Sequence, residues 1–208
     1  MQTEQTIKKQ RITLTDQLRM RLKGVMELAG GFLNRLGIHP NTLTLAGLAG
    51  NFIAAVFLAR GEFLVGGIIA LAMGPVDALD GTMARLRGES SNFGAFVDSV
   101  SDRYSELLIY GGLLTHYLGS GESLYGVLTF AAAAGAVMVS YNRARAEGLG
   151  FQAKIGILSR MERFVILIPS LILGFPWVGI GIIAVLANVT ALQRIMAVRR
   201  QAHDREKN

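Results

Sequence analysis

Apolar segments of bilayer length leave this chain few folds to choose from. A spanning helix needs roughly 20 largely apolar residues, and six stretches qualify as candidates, of which Thr42 to Ala59 (TLTLAGLAGNFIAAVFLA) is the cleanest. Phe63 to Val76 is apolar until Asp77 interrupts it, and Leu107 to Leu118 is short unless the aspartate-bearing segment before it is added. Ser123 to Ser140 runs on into Asn142-Arg143-Ala144-Arg145, Phe164 to Phe175 follows Ser159-Arg160-Met161-Glu162-Arg163, and the last span starts near Pro176 and reaches Ala197. Several spans must therefore have one polar half. Only 17% of the 208 residues are charged and 51% are apolar, against about a quarter charged in soluble domains. The chain reads as an all-α integral membrane protein with six transmembrane helices. It has no Cys, which excludes disulfides and thiol chemistry.

Lys and Arg near span ends are retained on the cytoplasmic side. The turns at Arg60-Gly61-Glu62, Gly119 to Glu122 and Phe175-Pro176 hold a single Arg, whereas the amino-terminal arm, the 85–92 turn, the 143–163 stretch and the tail hold most of the rest. Both termini are expected inside, in agreement with six spans. Ahead of them, Leu18, Leu22, Met26, Leu28, Phe32 and Leu36 alternate with Arg19, Arg21, Lys23 and Arg35, the pattern of an amphipathic helix lying in the headgroup layer; a loose cytosolic helix is the plainer alternative. No cleavable leader is evident, so the amino-terminal segment is expected to stay in the mature protein. No repeat or linker divides the chain. The expectation is one domain over 1–208, with an interfacial helix at 14–37 and a six-helix bundle at 40–200, and no nucleic-acid partner.

Asp77, Asp80, Asp98 and Asp102 fall within 26 residues on segments otherwise built to span. An ionised carboxylate in a bilayer costs several kcal/mol by any scale, so such groups need partners or a task. Spacings of three and four put each pair on one helix face. If the two helices are antiparallel neighbours joined around Gly88 to Asn92, the four groups converge and repel one another unless cations sit between them. With no His or Cys near, the set selects hard cations such as Mg2+, Mn2+ or Ca2+, and a paired site suits phosphoryl chemistry. Gly81 would let a phosphate approach the backbone, and Arg85 could grip its oxygens bidentately. For Gly81, Ala84 and Gly94, close helix crossing is an equally good account. The residues alone leave a proton or ion pathway in a carrier open beside catalysis.

The full run, D-A-L-D-G-T-M-A-R, eight residues, then G-A-F-V-D-S-V-S-D, resembles the signature of the CDP-alcohol phosphotransferase family, D-x2-D-G-x2-A-R-x8-G-x3-D-x3-D. Every fixed position is met: Asp77, Asp80, Gly81, Ala84, Arg85, Gly94, Asp98 and Asp102. The resemblance implies a prokaryotic cytoplasmic-membrane enzyme with its site facing the cytoplasm. It would transfer a group from a CDP-linked lipid to an alcohol, with release of CMP. Two Mg2+ or Mn2+ ions per subunit are implied at Asp77, Asp80, Asp98 and Asp102, as are Asp102 as general base and a homodimer. Pro40-Asn41-Thr42-Leu43, Gly81, Ala84, Arg85, Ser91 and Gly94 would line the CDP-lipid.

The acceptor is read from S-Y-N-R-A-R-A-E at 140–147 and G-I-L-S-R-M-E-R at 156–163. These resemble segments of phosphatidylinositol phosphate synthases, which implies inositol 1-phosphate as acceptor and CDP-diacylglycerol as donor. Glycerol 3-phosphate, other alcohols and a CDP-archaeol donor are the alternatives. Arg143 and Arg163 are the first choices for the acceptor phosphate, followed by Arg145, Lys154, Arg160 and Arg194. For any one of them, positive-inside topology is an equally good explanation. Glu106 is expected to pair with Arg103 three residues before it.

Overall fold

The computed structural model describes residues 14–89 and 91–207, with side chains from Gly24 onward. The basic arm before Leu14, Ser90 and Asn208 lie outside the described residues, as do the side chains at Leu18, Arg19, Arg21, Leu22 and Lys23.

Seven helices make up the described chain: α1 (Leu14–Arg35), α2 (Pro40–Ala59), α3 (Phe63–Arg87), α4 (Asn92–Gly119), α5 (Ser123–Gly148), α6 (Arg160–Ile172) and α7 (Pro176–Glu206). Each apolar run became a helix, and the polar extensions joined it. α3 continues from its apolar start through Asp77 and Asp80 to Arg87, and α4 starts at Asn92, well before Leu107. α7 runs past Ala197 through the charged tail to Glu206. Four helices, α2, α3, α5 and α7, are long and apolar enough to cross a membrane. α4 carries Asp98, Asp102, Arg103 and Glu106, and α6 has only 13 residues.

Local chemistry sets the boundaries. Pro40 stands in the first turn of α2, where its missing N–H costs nothing, and His39 Nδ1 accepts from the Asn41 N–H. Ser91 caps α4, its hydroxyl accepting from the Gly94 N–H at 3.0 Å. Gly88 ends α3 in the left-handed region at φ 67°, which a Cβ would disfavour.

α2 packs against α3 on one side and α4 on the other, while α5 packs against α7 and α4. α6 lies against α7 and α3. α3 and α4, whose adjacency was the condition for the aspartates to converge, touch each other only sparingly. Both lean on α2, which leaves their acidic halves facing across a gap rather than packed together. The buried face of α2 is Pro40, Thr44, Gly47, Asn51, Ala54, Ala55 and Leu58, a helical period of mainly small residues that lets two partners approach closely. At the α2–α4 crossing a Cβ on Gly112 would run into the Ala55 carbonyl, whereas one on Gly111 meets nothing within 4 Å. Gly112→Leu is therefore expected to destabilise the protein by at least about 1–3 kcal/mol, and Gly111→Leu by much less. Thermal unfolding of the two variants in the same detergent checks this.

The 149–159 segment is irregular and is fastened along α7 by successive bonds. Leu158 N–H donates to Thr190 Oγ1, Arg194 Nε to Ile155 O, Gln201 Nε2 to Gln152 O, and Arg205 Nη2 to Gly150 O. This segment delivers the start of α6, with Arg160 and Arg163, to the acidic halves of α3 and α4.

Candidate active site

Asp77 sits on α3, Asp98 and Asp102 on α4, and one carboxylate oxygen from each lies within 4.8 Å of the other two. Three negative groups at that separation repel strongly in a poorly solvated site, and positive charge offsets the repulsion. Part of it is Arg160, whose Nη2 is 2.6 Å from Asp77 Oδ2 and whose Nη1 is 2.6 Å from Asp102 Oδ1.

Asp80 stands one turn beyond Asp77 and is 4% exposed. Its Oδ2 accepts from the Thr44 hydroxyl at 2.6 Å and its Oδ1 from the Gly81 N–H at 2.5 Å. Asp80 is thus oriented by α2, outside the three-carboxylate group but with lone pairs remaining on both oxygens. Thr44 escaped the sequence reading. Its signal was there: it follows Pro40 by four residues and shares the small-residue face with Gly47, where a Cβ would lie 3.9 Å from Asp77 Oδ1.

The other motif residues surround this centre. Arg85 folds back so that its Nη2 donates to Thr82 Oγ1 at 2.9 Å, and its Nη1 would be 3.4 Å from a Cβ on Gly81. Ala84 closes α3, its carbonyl accepting from the Glu89 N–H. Gly94 is explained by the cap, since a Cβ there would stand 3.2 Å from Ser91 Oγ. Pro40, Asn41, Thr42 and Leu43 form the first turn of α2, with Asn41 and Thr42 exposed. The loop before that turn is held to α3: Arg87 Nε donates to Asn34 Oδ1 and its Nη2 to Ile38 O, both at 2.7 Å.

The basic residues divide into two groups. Arg143, Arg145 and Lys154 are exposed, and Arg143 pairs with Glu147 one turn on at 2.9 Å, a solvated pair of small energetic weight. Arg163 and Arg194 are buried and their donors are engaged. Arg163, 1% exposed, forks onto Glu106 with Nε to Oε1 at 2.6 Å and Nη2 to Oε2 at 2.9 Å, and its Nη1 reaches Leu158 O. Arg194 donates from Nε to Ile155 O and from Nη1 to Val139 O. Burial demands such partners for a guanidinium, so both residues hold the 149–159 segment and the helices around it together. Glu106 consequently pairs with Arg163 rather than with Arg103. The bidentate fork gives two charge-assisted bonds that an i−3 neighbour cannot match.

The centre is an oxygen-lined cage on two helices, with Arg160 of α6 set against it. The family model for CDP-alcohol phosphatidyltransferases matches residues 37–198. A phosphatidylinositol phosphate synthase of Streptomyces avermitilis is 38% identical, over 82% of this chain and 76% of that one. An archaetidylinositol phosphate synthase of Pyrococcus horikoshii is 35% identical, over 90% of this chain and 98% of that one. The crystal structure of Mycobacterium tuberculosis phosphatidylinositol phosphate synthase with CDP-DAG bound superimposes with a TM-score of 0.78 at 26% identity, covering 84% of this chain and 93% of that one. A structure of the same enzyme in complex with manganese and citrate also matches at 0.78. With the motif complete and the model spanning all six apolar segments, this chain is a membrane enzyme of the CDP-alcohol phosphatidyltransferase family.

Proposed function

We propose that the chain transfers a phosphatidyl group from CDP-diacylglycerol to a hydroxyl of inositol 1-phosphate, releasing CMP. The observation that carries this reading is the convergence of Asp77, Asp98 and Asp102 within 4.8 Å, in a chain whose relatives include phosphatidylinositol phosphate synthases.

The donor set fits a hard divalent cation, because it is all carboxylate oxygen with no His or Cys. We assign Mg2+ or Mn2+, two ions per subunit, to Asp77, Asp98 and Asp102 with Asp80 completing the set. The ions, when bound, neutralise charge on the pyrophosphate and on the departing CMP. The chain supplies the rest. The first turn of α2 at Pro40 to Leu43, together with Gly81, Ala84, Arg85, Ser91 and Gly94, lines the CDP group, with Arg85 leaving Thr82 to hold phosphate oxygens. Asp102 accepts the proton of the attacking hydroxyl. The hydroxyl oxygen then bonds to the lipid-side phosphorus as the bond from that phosphorus to the CMP oxygen breaks.

For the acceptor phosphate, exposure favours Arg143, Arg145 and Lys154, with Arg160 at the edge of the cage. Arg163 and Arg194 act beneath them by fixing α6 and the 149–159 segment. Relatives of both donor types match at similar identity, so CDP-archaeol is the second reading for the donor. In the bilayer, α2 to α7 would all cross, α1 would lie in the headgroup layer and the cage would open to the cytoplasm, where the basic turns gather. A homodimer would cover the groove of about 450 Å3 lined by Leu107, Gly111 and Leu114 of α4 and Phe130, Ala134 and Val137 of α5.

Purified protein given CDP-diacylglycerol or CDP-archaeol and a panel of alcohols should release CMP fastest with inositol 1-phosphate, and only with Mg2+ or Mn2+ present. Release with glycerol 3-phosphate but not inositol 1-phosphate overturns the acceptor assignment, and cation transport without CMP overturns the enzyme reading. In the same assay Arg143→Ala should raise KM for inositol 1-phosphate about tenfold, the worth of one charge-assisted contact, and leave KM for the CDP-lipid within about twofold.

A further inference from the structure

Two arginines one turn apart at the start of α6 face two carboxylates one turn apart on α4, and the two pairs are built differently. Arg163 with Glu106 is a closed rung, at 1% and 14% side-chain exposure. Arg160 is 42% exposed and stands between two carboxylates, its Nη2 donating to Asp77 Oδ2 on α3 at 2.6 Å and its Nη1 lying 2.6 Å from Asp102 Oδ1 on α4 as a charge contact. Those two carboxylates are also members of the group whose oxygens gather within 4.8 Å. A divalent cation bonds carboxylate oxygen at about 2.0–2.1 Å for Mg2+, well inside hydrogen-bond distance. Placed on the same oxygens as a guanidinium, it would meet strong like-charge repulsion. Where the cation takes Asp77 Oδ2 and Asp102 Oδ1, the oxygens that Arg160 holds, the guanidinium has to leave. Arg160 can do so, because it is the first residue of α6 and its exposed half leads to solvent, whereas Arg163 cannot move without stranding Glu106.

We propose that Arg160 and a divalent cation exchange on Asp77 and Asp102. The guanidinium neutralises the two carboxylates until the cation displaces it, and the displaced guanidinium then binds the phosphate of the acceptor. The idea rests on reading Asp77 and Asp102 as metal-binding. It makes loading with the cation a condition for tight acceptor binding, and linkage requires the acceptor to tighten the cation by the same factor.

The test uses the full chain in detergent or nanodiscs without CDP-lipid, with free Mn2+ followed by EPR. Arg160→Gln removes the competitor, so it should bind Mn2+ at least about 5-fold more tightly than the unaltered protein, the upper worth of one exposed ion pair. Calorimetric titration with inositol 1-phosphate should show Mn2+ tightening the acceptor in the unaltered protein, with most of that gain lost in Arg160→Gln. Unchanged or weaker Mn2+ binding in Arg160→Gln overturns the exchange, because an arginine that merely supports the cage would leave the cation no better bound when removed. Should Arg160→Gln fail to fold, Arg160→Lys carries the same comparison: an ammonium is a point charge that cannot fork across both carboxylates, so Mn2+ again binds more tightly, by a smaller factor. Failure of the underlying metal reading looks different, since Asp102→Asn would then leave Mn2+ binding to the unaltered level.

Discussion

Asp102→Asn should lower CMP formation by about 10²–10⁴-fold, the usual worth of a positioned general base, while CDP binding remains measurable. The substitution is nearly isosteric, so the packing of α4 survives. What changes is that an amide nitrogen replaces an oxygen able to take a proton, in a side chain 13% exposed and in contact with Arg160. The elements assigned to the nucleotide, the first turn of α2 and the Gly81–Arg85 face of α3, are untouched. Steady-state CMP release together with CDP titration separates the two effects. An Asp102→Asn protein that keeps more than about a tenth of the activity would remove the residue from the proton-transfer step.

The largest stability effect is expected at Arg163. Removing one partner of a buried ion pair leaves the other charge uncompensated and costs about 3–5 kcal/mol. Arg163→Ala would strand Glu106 and also release the Leu158 carbonyl. Glu106→Gln should also cost stability, since it leaves the Arg163 guanidinium, 1% exposed, with an amide in place of its counter-ion. The double change Glu106→Gln with Arg163→Met should recover much of the loss, because well-packed apolar replacements of buried pairs are often neutral. Unfolding free energies of the three variants in one detergent decide the matter. A loss under about 1 kcal/mol for Arg163→Ala would mean the pair is solvated rather than buried.

The fold was readable where a single period governed the sequence. Each apolar run gave a helix, and the turn expected around Gly88 to Asn92 separates α3 from α4. The aspartate spacing put Asp98 and Asp102 on one face of α4; of the four carboxylates read as converging, Asp77, Asp98 and Asp102 do so, while Asp80 is turned to Thr44. Three features were out of reach. Helix order in space was one: the neighbourhood of α3 and α4 could be stated only as a condition, and the small-residue face of α2 draws both to itself. Partner choice was another. Glu106 has a basic neighbour at i−3, yet its bonds go to Arg163, 57 residues away, because only the folded chain brings a buried fork opposite it. The last was the division of labour among basic residues, since Arg143 and Arg194 look alike until burial separates a solvated guanidinium from one enclosed by backbone carbonyls.

The central claim is that the carboxylates of α3 and α4 hold divalent cations against the diphosphate of a CDP-lipid. Anomalous diffraction at the manganese edge, from crystals grown with Mn2+ and CDP-diacylglycerol, tests it directly. The account predicts anomalous peaks within bonding distance of oxygens of Asp77, Asp98 and Asp102, with diphosphate oxygens on the far side. Mn2+ at saturating concentration found elsewhere, with these three side chains turned away from the nucleotide, would contradict it.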